Sequence, residues 1–167
     1  LAVEKVDEDL QKLMNDMLET MYAAPGIGLA AIQVGVPKRV IVLDIGWRNK
    51  SESTDDEKQV VRKNPMYFVN PEIITKSTNN STYEEGCLSV PGQFAEIERP
   101  DKCHVKYLDY YGQPKELVAE GMIATCIQHE MDHLEGILFI DYLSKLKKSM
   151  IVKKLLKQKE QIGRIVI

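Results

Sequence analysis

Two histidines, His129 and His133, stand four residues apart in the run Gln128-His129-Glu130-Met131-Asp132-His133. On a helix that spacing puts both imidazoles on one face, a turn apart, where they can share one metal ion. Glu130 lies between them in sequence, rotated by about 100° onto the flank of the same face. A carboxylate there suits a general base that takes a proton from metal-activated water. The pattern also occurs by chance on solvated helices. Its weight therefore depends on a third protein ligand and a position left open, as in catalytic zinc-type sites.

The third ligand is not where the common H-E-x-x-H peptidases carry theirs. Gly136 follows His133 by three residues, as in one such pattern, but Phe139 occupies the place of the expected histidine. Glu160, the downstream carboxylate, sits in a lysine-rich stretch. Cys126 precedes His133 by seven residues. That is about 10 Å along a helix axis, so Cys126 is expected to line an adjacent pocket rather than to close on the metal. Cys103 and His104 are neighbours in an alternating run, and a strand points them to opposite faces, so at most one could serve. Cys87 stands out, in Tyr83-Glu84-Glu85-Gly86-Cys87-Leu88-Ser89-Val90-Pro91-Gly92. Gly86 frees the backbone before it, and Pro91-Gly92 turns the chain after it. A thiolate with two imidazoles makes a soft, open, three-ligand site. The competing reading of Cys87 is a small, buried, apolar side chain.

Several elements must position these residues. Met122, Ile123, Cys126 and Ile127 recur at helical spacing between Gly121 and Gly136, so the histidines fall on a helix with a glycine stop. Val6, Leu10, Leu13, Met14, Met17, Leu18 and Met21 predict a second amphipathic helix, capped by Asp7 and ending before Pro25. The small residues from Pro25 to Gly35 suggest a packed turn presenting the Gln33 amide; no phosphate-loop spacing is present. Strands are expected at Val40 to Ile45, at Met66 to Val69 and Glu72 to Thr75 around Asn70-Pro71, at Gln93 to Glu98, and in a hairpin from Lys102 to Glu120. Gly46 to Asn64 reads as an exposed loop with no assigned role, and Ser144 to Gln161 as a basic helix. The expected class is α+β, with small mixed or antiparallel sheets packed around a central metal-binding helix and a further helix at the C-terminus.

The 167 residues, 44% hydrophobic and 28% charged, fit one soluble domain able to bury a core. The net charge of −3 does not suggest a nucleic-acid binder, but it divides unevenly: +7 from Ser144 onward and −10 before it. The odd count of three cysteines offers no disulfide framework and points to a reducing compartment. No apolar run is long enough to span a bilayer, and the acidic start is not a signal peptide. The start at Leu1 rather than Met leads us to expect residues upstream.

Three motifs in order resemble those of peptide deformylases: G-x-G-L-A-A-x-Q at Gly26 to Gln33, E-G-C-L-S at Glu85 to Ser89, and Q-H-E-x-D-H at Gln128 to His133. The resemblance runs from about Val6 to Leu143, which would make residues 1–143 the catalytic domain and residues 144–167 its basic helical tail. The chain departs from the family in lacking a short segment before the first helix and in a longer 46–64 loop. Phe94 also stands where some bacterial members carry arginine, so contacts to the distal part of the substrate are expected to differ.

The resemblance implies removal of the formyl group from N-terminal formyl-methionine on new polypeptides, in the bacterial cytoplasm or an organelle. It implies Cys87, His129 and His133 as ligands of one divalent metal, Fe(II) in the cell, with Zn(II) or Ni(II) able to occupy the site. Metal-bound hydroxide would attack the formyl carbon, with Glu130 as general base and then acid. The Gln33 amide and the Leu88 backbone N–H would stabilise the oxyanion. Ile27, Tyr83, Met122, Thr125, Cys126 and His129 would form the methionine pocket, and backbone near Ile27, Gly28 and Gly86 would take the peptide as an added strand. Asp132 is expected to pair with Arg99 and hold the helix; the alternative is a surface ion pair. The basic tail suggests docking on the ribosome, against a merely solvated helix. No DNA or membrane partner is implied. An internally cutting metallopeptidase and a non-enzymatic metal module are the competing readings; the first lacks its downstream ligand and the second needs a fourth.

Overall fold

The computed structural model describes residues 1–24, 26–46 and 63–165, with side chains up to residue 159. Most of the 46–64 loop lies outside the described residues.

Helix α1 (Glu8–Ala23) begins where expected: the Asp7 carboxylate accepts from the Leu10 N–H at 2.9 Å, and Glu8 and Asp9 stand in the first turn, where the helix dipole favours acids. Strand β1 (Gly28–Ala30) and the 3-10 turn Ala31–Val34 follow, so the glycine-rich stretch holds a short strand as well as the expected turn. Next come β2 (Val40–Leu43), β3 (Met66–Lys76), β4 (Asn80–Cys87), β5 (Val90–Pro100), β6 (Lys102–Leu108) and β7 (Pro114–Glu120). Helix α2 (Gly121–Leu134) carries the histidines, the 3-10 turn Phe139–Tyr142 follows it, and α3 (Lys145–Ile165) closes the described chain.

The sheet order is β1-β2-β3-β6-β7, with β4-β5 as a separate hairpin, and every pairing is antiparallel. The class is α+β, as expected, with no parallel pairing among the described strands. Strand β2 is buried along its whole length because it is covered on both sides. Val40 and Val42 join Leu10, Met14, Met17 and Met21 of α1 in one core, while Ile41 and Leu43 join Ala124, Cys126 and Ile127 of α2 in another. Helices α1 and α2 thus sandwich the sheet. A third core, Val90, Ile97, Phe139 and Ile140, ties the hairpin to Ile151 and Leu155 of α3.

One correction concerns Asn70-Pro71, which reads in sequence as a break between two strands. β3 instead runs through it with a register shift. Asn70 takes a left-handed φ of 50°, and its side-chain amide bonds the N–H and the C=O of Val3, both at 2.7 Å. The distortion is stabilised by tying down the N-terminal segment. Among the described residues, no helix is long and apolar enough to cross a membrane.

Candidate metal centre and cleft

Strand β4 turns Glu85 and Cys87 toward α2, with a register shift between Gly86 and Cys87. At the strand's end Leu88 and Ser89 make a two-residue turn, since Cys87 pairs with Val90. The turn brings the Ser89 N–H to 3.3 Å from the Cys87 sulfur. From α2, His129 and His133 reach the same point: their Nε2 atoms lie 3.2 Å apart, and His133 Nε2 is 3.3 Å from Cys87 Sγ. The three donor atoms all fall within 4.8 Å of one another. A tetrahedral ion with ordinary metal–nitrogen and metal–sulfur bonds separates its donors by about 3.3–3.6 Å, so these residues fit a cation.

Charge supports the fit. Burial alone would raise the Cys87 thiol, but hydrogen bonds with His129, His133 and the Ser89 N–H outweigh it and bring it down to about 5. The thiolate is the ligand form of cysteine. Burial would lower His129, yet its bonds to Cys87 and Glu85 push it up to about 10. The Cys87 thiolate therefore puts a negative charge at the point where the imidazoles converge, favouring a cation there.

The ring orientation of His129 is held from behind. Its Nδ1 lies 2.7 Å from Glu85 Oε1, which leaves Nε2 facing the sulfur. Arg99, 4% exposed, donates to both oxygens of Glu85 at 2.7 and 2.9 Å and to Asp132 at 2.8 Å. The Tyr142 hydroxyl donates to Asp132 at 2.6 Å, and its ring covers the Arg99 guanidinium. Asp132 and Arg99 therefore pair, and the pair is mostly buried. Burial raises the Glu85 carboxyl, but its bonds with His129 and Arg99 hold it below the usual range.

Glu130 is buried beside the histidines, and its Oε2 has no hydrogen-bond partner. Burial pushes its pKa up to about 7, against the pull of His129 and His133. Gly28 of β1 makes room for it: a Cβ there would stand 2.8 Å from Glu130 Oε1. The Gln33 amide is oriented by the 3-10 turn. Its Oε1 accepts from the Ala30 N–H at 2.9 Å, so Nε2 is the end that points at Cys87 Sγ, 3.2 Å away, and at Ser89 Oγ.

These groups border a cleft of about 740 Å³. Ile27, Gly28, Gln33, Tyr83, Gly86, Leu88, Met122, Thr125, Cys126, His129 and Glu130, all singled out from the sequence, line it, and Phe94 stands exposed at its edge. Cys126 is in the wall rather than at the donor cluster, and burial raises its thiol to about 12. Cys103 is in the main core and His104 pairs with Glu116 on the far face, so neither approaches. Phe139 packs in the third core and stacks on the His129 ring, with centroids 6.2 Å apart.

Sequence reasoning did not assign Glu85 a place in the site, although it lies two residues before Cys87. The period of a strand was the available signal, but β4 itself was not among the expected strands. Tyr142 and Ser89 were missed as well: the Ser89 hydroxyl meets Gln33 from 56 residues away, and Tyr142 meets Asp132 because the chain turns back after α2.

A family model for polypeptide deformylase matches residues 1–149. A peptide deformylase from Pelagibacter ubique is 64% identical over 165 residues, which cover 99% of this chain and 88% of that protein. The crystal structure of a peptide deformylase from Ehrlichia chaffeensis superposes with a TM-score of 0.82 at 43% identity, covering 95% of this chain and 87% of that one. A second structure from that organism, in complex with actinonin, gives 0.81 at 43% identity, covering 94% and 87%.

Proposed function

Because this chain belongs to the polypeptide deformylase family, we propose that it hydrolyses the formyl group from the N-terminal formyl-methionine of newly made polypeptides, releasing formate. The observation that carries this reading is the meeting of one thiolate and two imidazoles in a cleft that a buried carboxylate with an unpaired oxygen also lines.

Cys87, His129 and His133 would hold one divalent cation. Their soft and borderline donors suit Fe(II), our choice for the cell, and also Zn(II) or Ni(II). When bound, the cation supplies Lewis acidity, polarising the formyl carbonyl and making water a stronger acid. Glu130, poised near neutrality, takes a proton from water and returns it to the departing amine nitrogen. Gln33 Nε2 and the Leu88 N–H donate to the oxygen on which negative charge develops. Glu85, itself gripped by Arg99, keeps His129 in the tautomer that leaves Nε2 free. The pair Asp132–Arg99 holds that arrangement to α2.

Ile27, Tyr83, Met122, Thr125 and Cys126 enclose the methionine side chain. The peptide lies as an added strand along the backbone at Gly28 and Gly86. This is supported by β1 being, among the described strands, the outermost of its sheet and by β4 having one strand partner among them. In this reading residues 1–143 are the catalytic part, working in the bacterial cytoplasm or in an organelle that makes protein. The tail, residues 144–167, meets the ribosome. Its support is the exposed run Lys153, Lys154, Lys157 and Lys159 beside exposed Leu146, Met150 and Leu156.

Formate release from formyl-Met-Ala, with no cutting of an unformylated peptide, tests the activity. Internal cleavage would return the metallopeptidase reading. Reversing Lys153, Lys154 and Lys157 to glutamate tests the tail: co-sedimentation with ribosomes should fall and become insensitive to salt, and unchanged binding ends that part of the proposal.

A further inference from the structure

The cleft wall at Gly26, Ile27 and Gly28 leads into β1, a strand of three residues that begins with glycine. So short a strand, with glycine in it, holds its shape poorly alone. Two backbone bonds anchor the wall. The Gly26 N–H donates to the Met21 C=O at 2.7 Å, and the Ile27 C=O accepts from the Asp44 N–H at 2.9 Å. The wall also lies close to working groups: a Cβ at Gly26 would stand 3.3 Å from Leu88 Cδ1, and one at Gly28 2.8 Å from Glu130 Oε1. A small shift of these residues therefore changes the width of the cleft.

The two anchors are joined to each other. Tyr22 follows Met21 in the last turn of α1, and its hydroxyl donates to Asp44 Oδ2. Burial and this bond both raise the Tyr22 phenol, so it keeps the proton it donates. Lys63 Nζ covers the Tyr22 ring, 4.5 Å from its centroid. Asp44, 7% exposed, is held further: Oδ1 accepts from the Gly46 N–H at 2.8 Å, and both oxygens accept from the Asn64 N–H at 3.1 Å. One carboxylate thus gathers the end of α1, the end of β2 and the approach to β3. Neither Tyr22 nor Asp44 is among the residues of the cleft wall. Resting on the deformylase reading above, we propose that Tyr22 and Asp44 are positioning residues. Their bond fixes the two anchors of Gly26–Gly28 relative to each other and so sets the backbone edge on which the peptide adds as a strand. An edge already in place binds without first having to be ordered.

Tyr22→Phe removes the hydroxyl and keeps the ring. Asp44→Asn keeps the shape and weakens the same bond by removing the charge. Met14→Ala, in the α1 core, is the comparator for lost stability. The metal-loaded enzymes are assayed with formyl-Met-Ala-Ser well below each Tm, and binding of the product Met-Ala-Ser is read by calorimetry. Amide hydrogen exchange is followed in residues 26–30 without peptide. Tyr22→Phe should raise KM and the product Kd by about three- to tenfold, the size of one net hydrogen bond, with kcat held within about twofold. Exchange at 26–30 should quicken. Asp44→Asn should move each quantity the same way by a smaller factor, and Met14→Ala should leave KM and Kd at the wild-type values. A Tyr22→Phe enzyme whose KM and exchange match wild type, or a Met14→Ala enzyme whose KM rises as much, overturns the positioning role alone. A wild type that releases no formate overturns the deformylase reading and this inference with it.

Discussion

Helices α1 and α2 are 16 and 14 residues long and cover opposite faces of one sheet, yet they bury opposite chemistry. α1 buries Leu10, Met14, Met17 and Met21, each worth about 1.5–3 kcal/mol for leaving water. α2 buries Thr125, Gln128, His129, Glu130 and His133 alongside Ala124, Cys126 and Ile127. A buried polar group costs stability unless it is bonded. Gln128 is satisfied by the carbonyls of Pro100 and Ala124, and His129 by Glu85. Thr125 Oγ1 and Glu130 Oε2 are not satisfied. The first helix is built for stability; the second gives some up to keep reactive groups out of water.

This contrast can be broken most sharply at Glu130. Glu130→Gln should lower kcat by about 10²–10⁴ while metal content is retained. Its Tm should hold or rise, because a buried acid with an unpaired oxygen is replaced by a neutral amide. A clear drop in Tm would show that the carboxylate is structural. Arg99→Ala should do what Glu130→Gln does not. It strands Glu85 in the interior, so unfolding free energy should fall by about 3–5 kcal/mol, and metal affinity, titrated with a competing chelator, by about 10–100-fold.

On the other helix, Met14→Ala should destabilise by about 2–5 kcal/mol in denaturant melts. Its kcat/KM per folded molecule should stay at the wild-type value; lost turnover would mean that α1 reaches the cleft. The smallest effect is expected of Asp7→Ala, about 0.5–2 kcal/mol from the lost cap, with metal content unchanged.

Legibility follows the same division. α1 could be read to its cap because its signals are local: apolar spacing, Asp7 and the acids after it. The α2 motif was legible for the same reason, and Cys87 through the glycine and proline around it. The β4–β5 hairpin was less so. Its inner face mixes Tyr83, Glu85 and Arg99 with apolar residues, so no apolar alternation marks it as two long strands. Glu85 stayed unassigned for that reason. β3 looked broken at Asn70-Pro71 because its stabilising partner, Val3, is 67 residues away.

The sequence alone determined the helix that pairs His129 with His133, the Glu130 between them and the resemblance that drew in Cys87. Each depends on spacing within a few residues, which a helix or strand converts directly into a shared face. Only the tertiary structure decided that Glu85, Arg99, Asp132 and Tyr142 form one buried chain behind His129, and that the Thr125 hydroxyl is left without a partner. Those facts depend on which distant segments share a volume closed to water, where every polar atom must find a neighbour or bear the cost of lacking one.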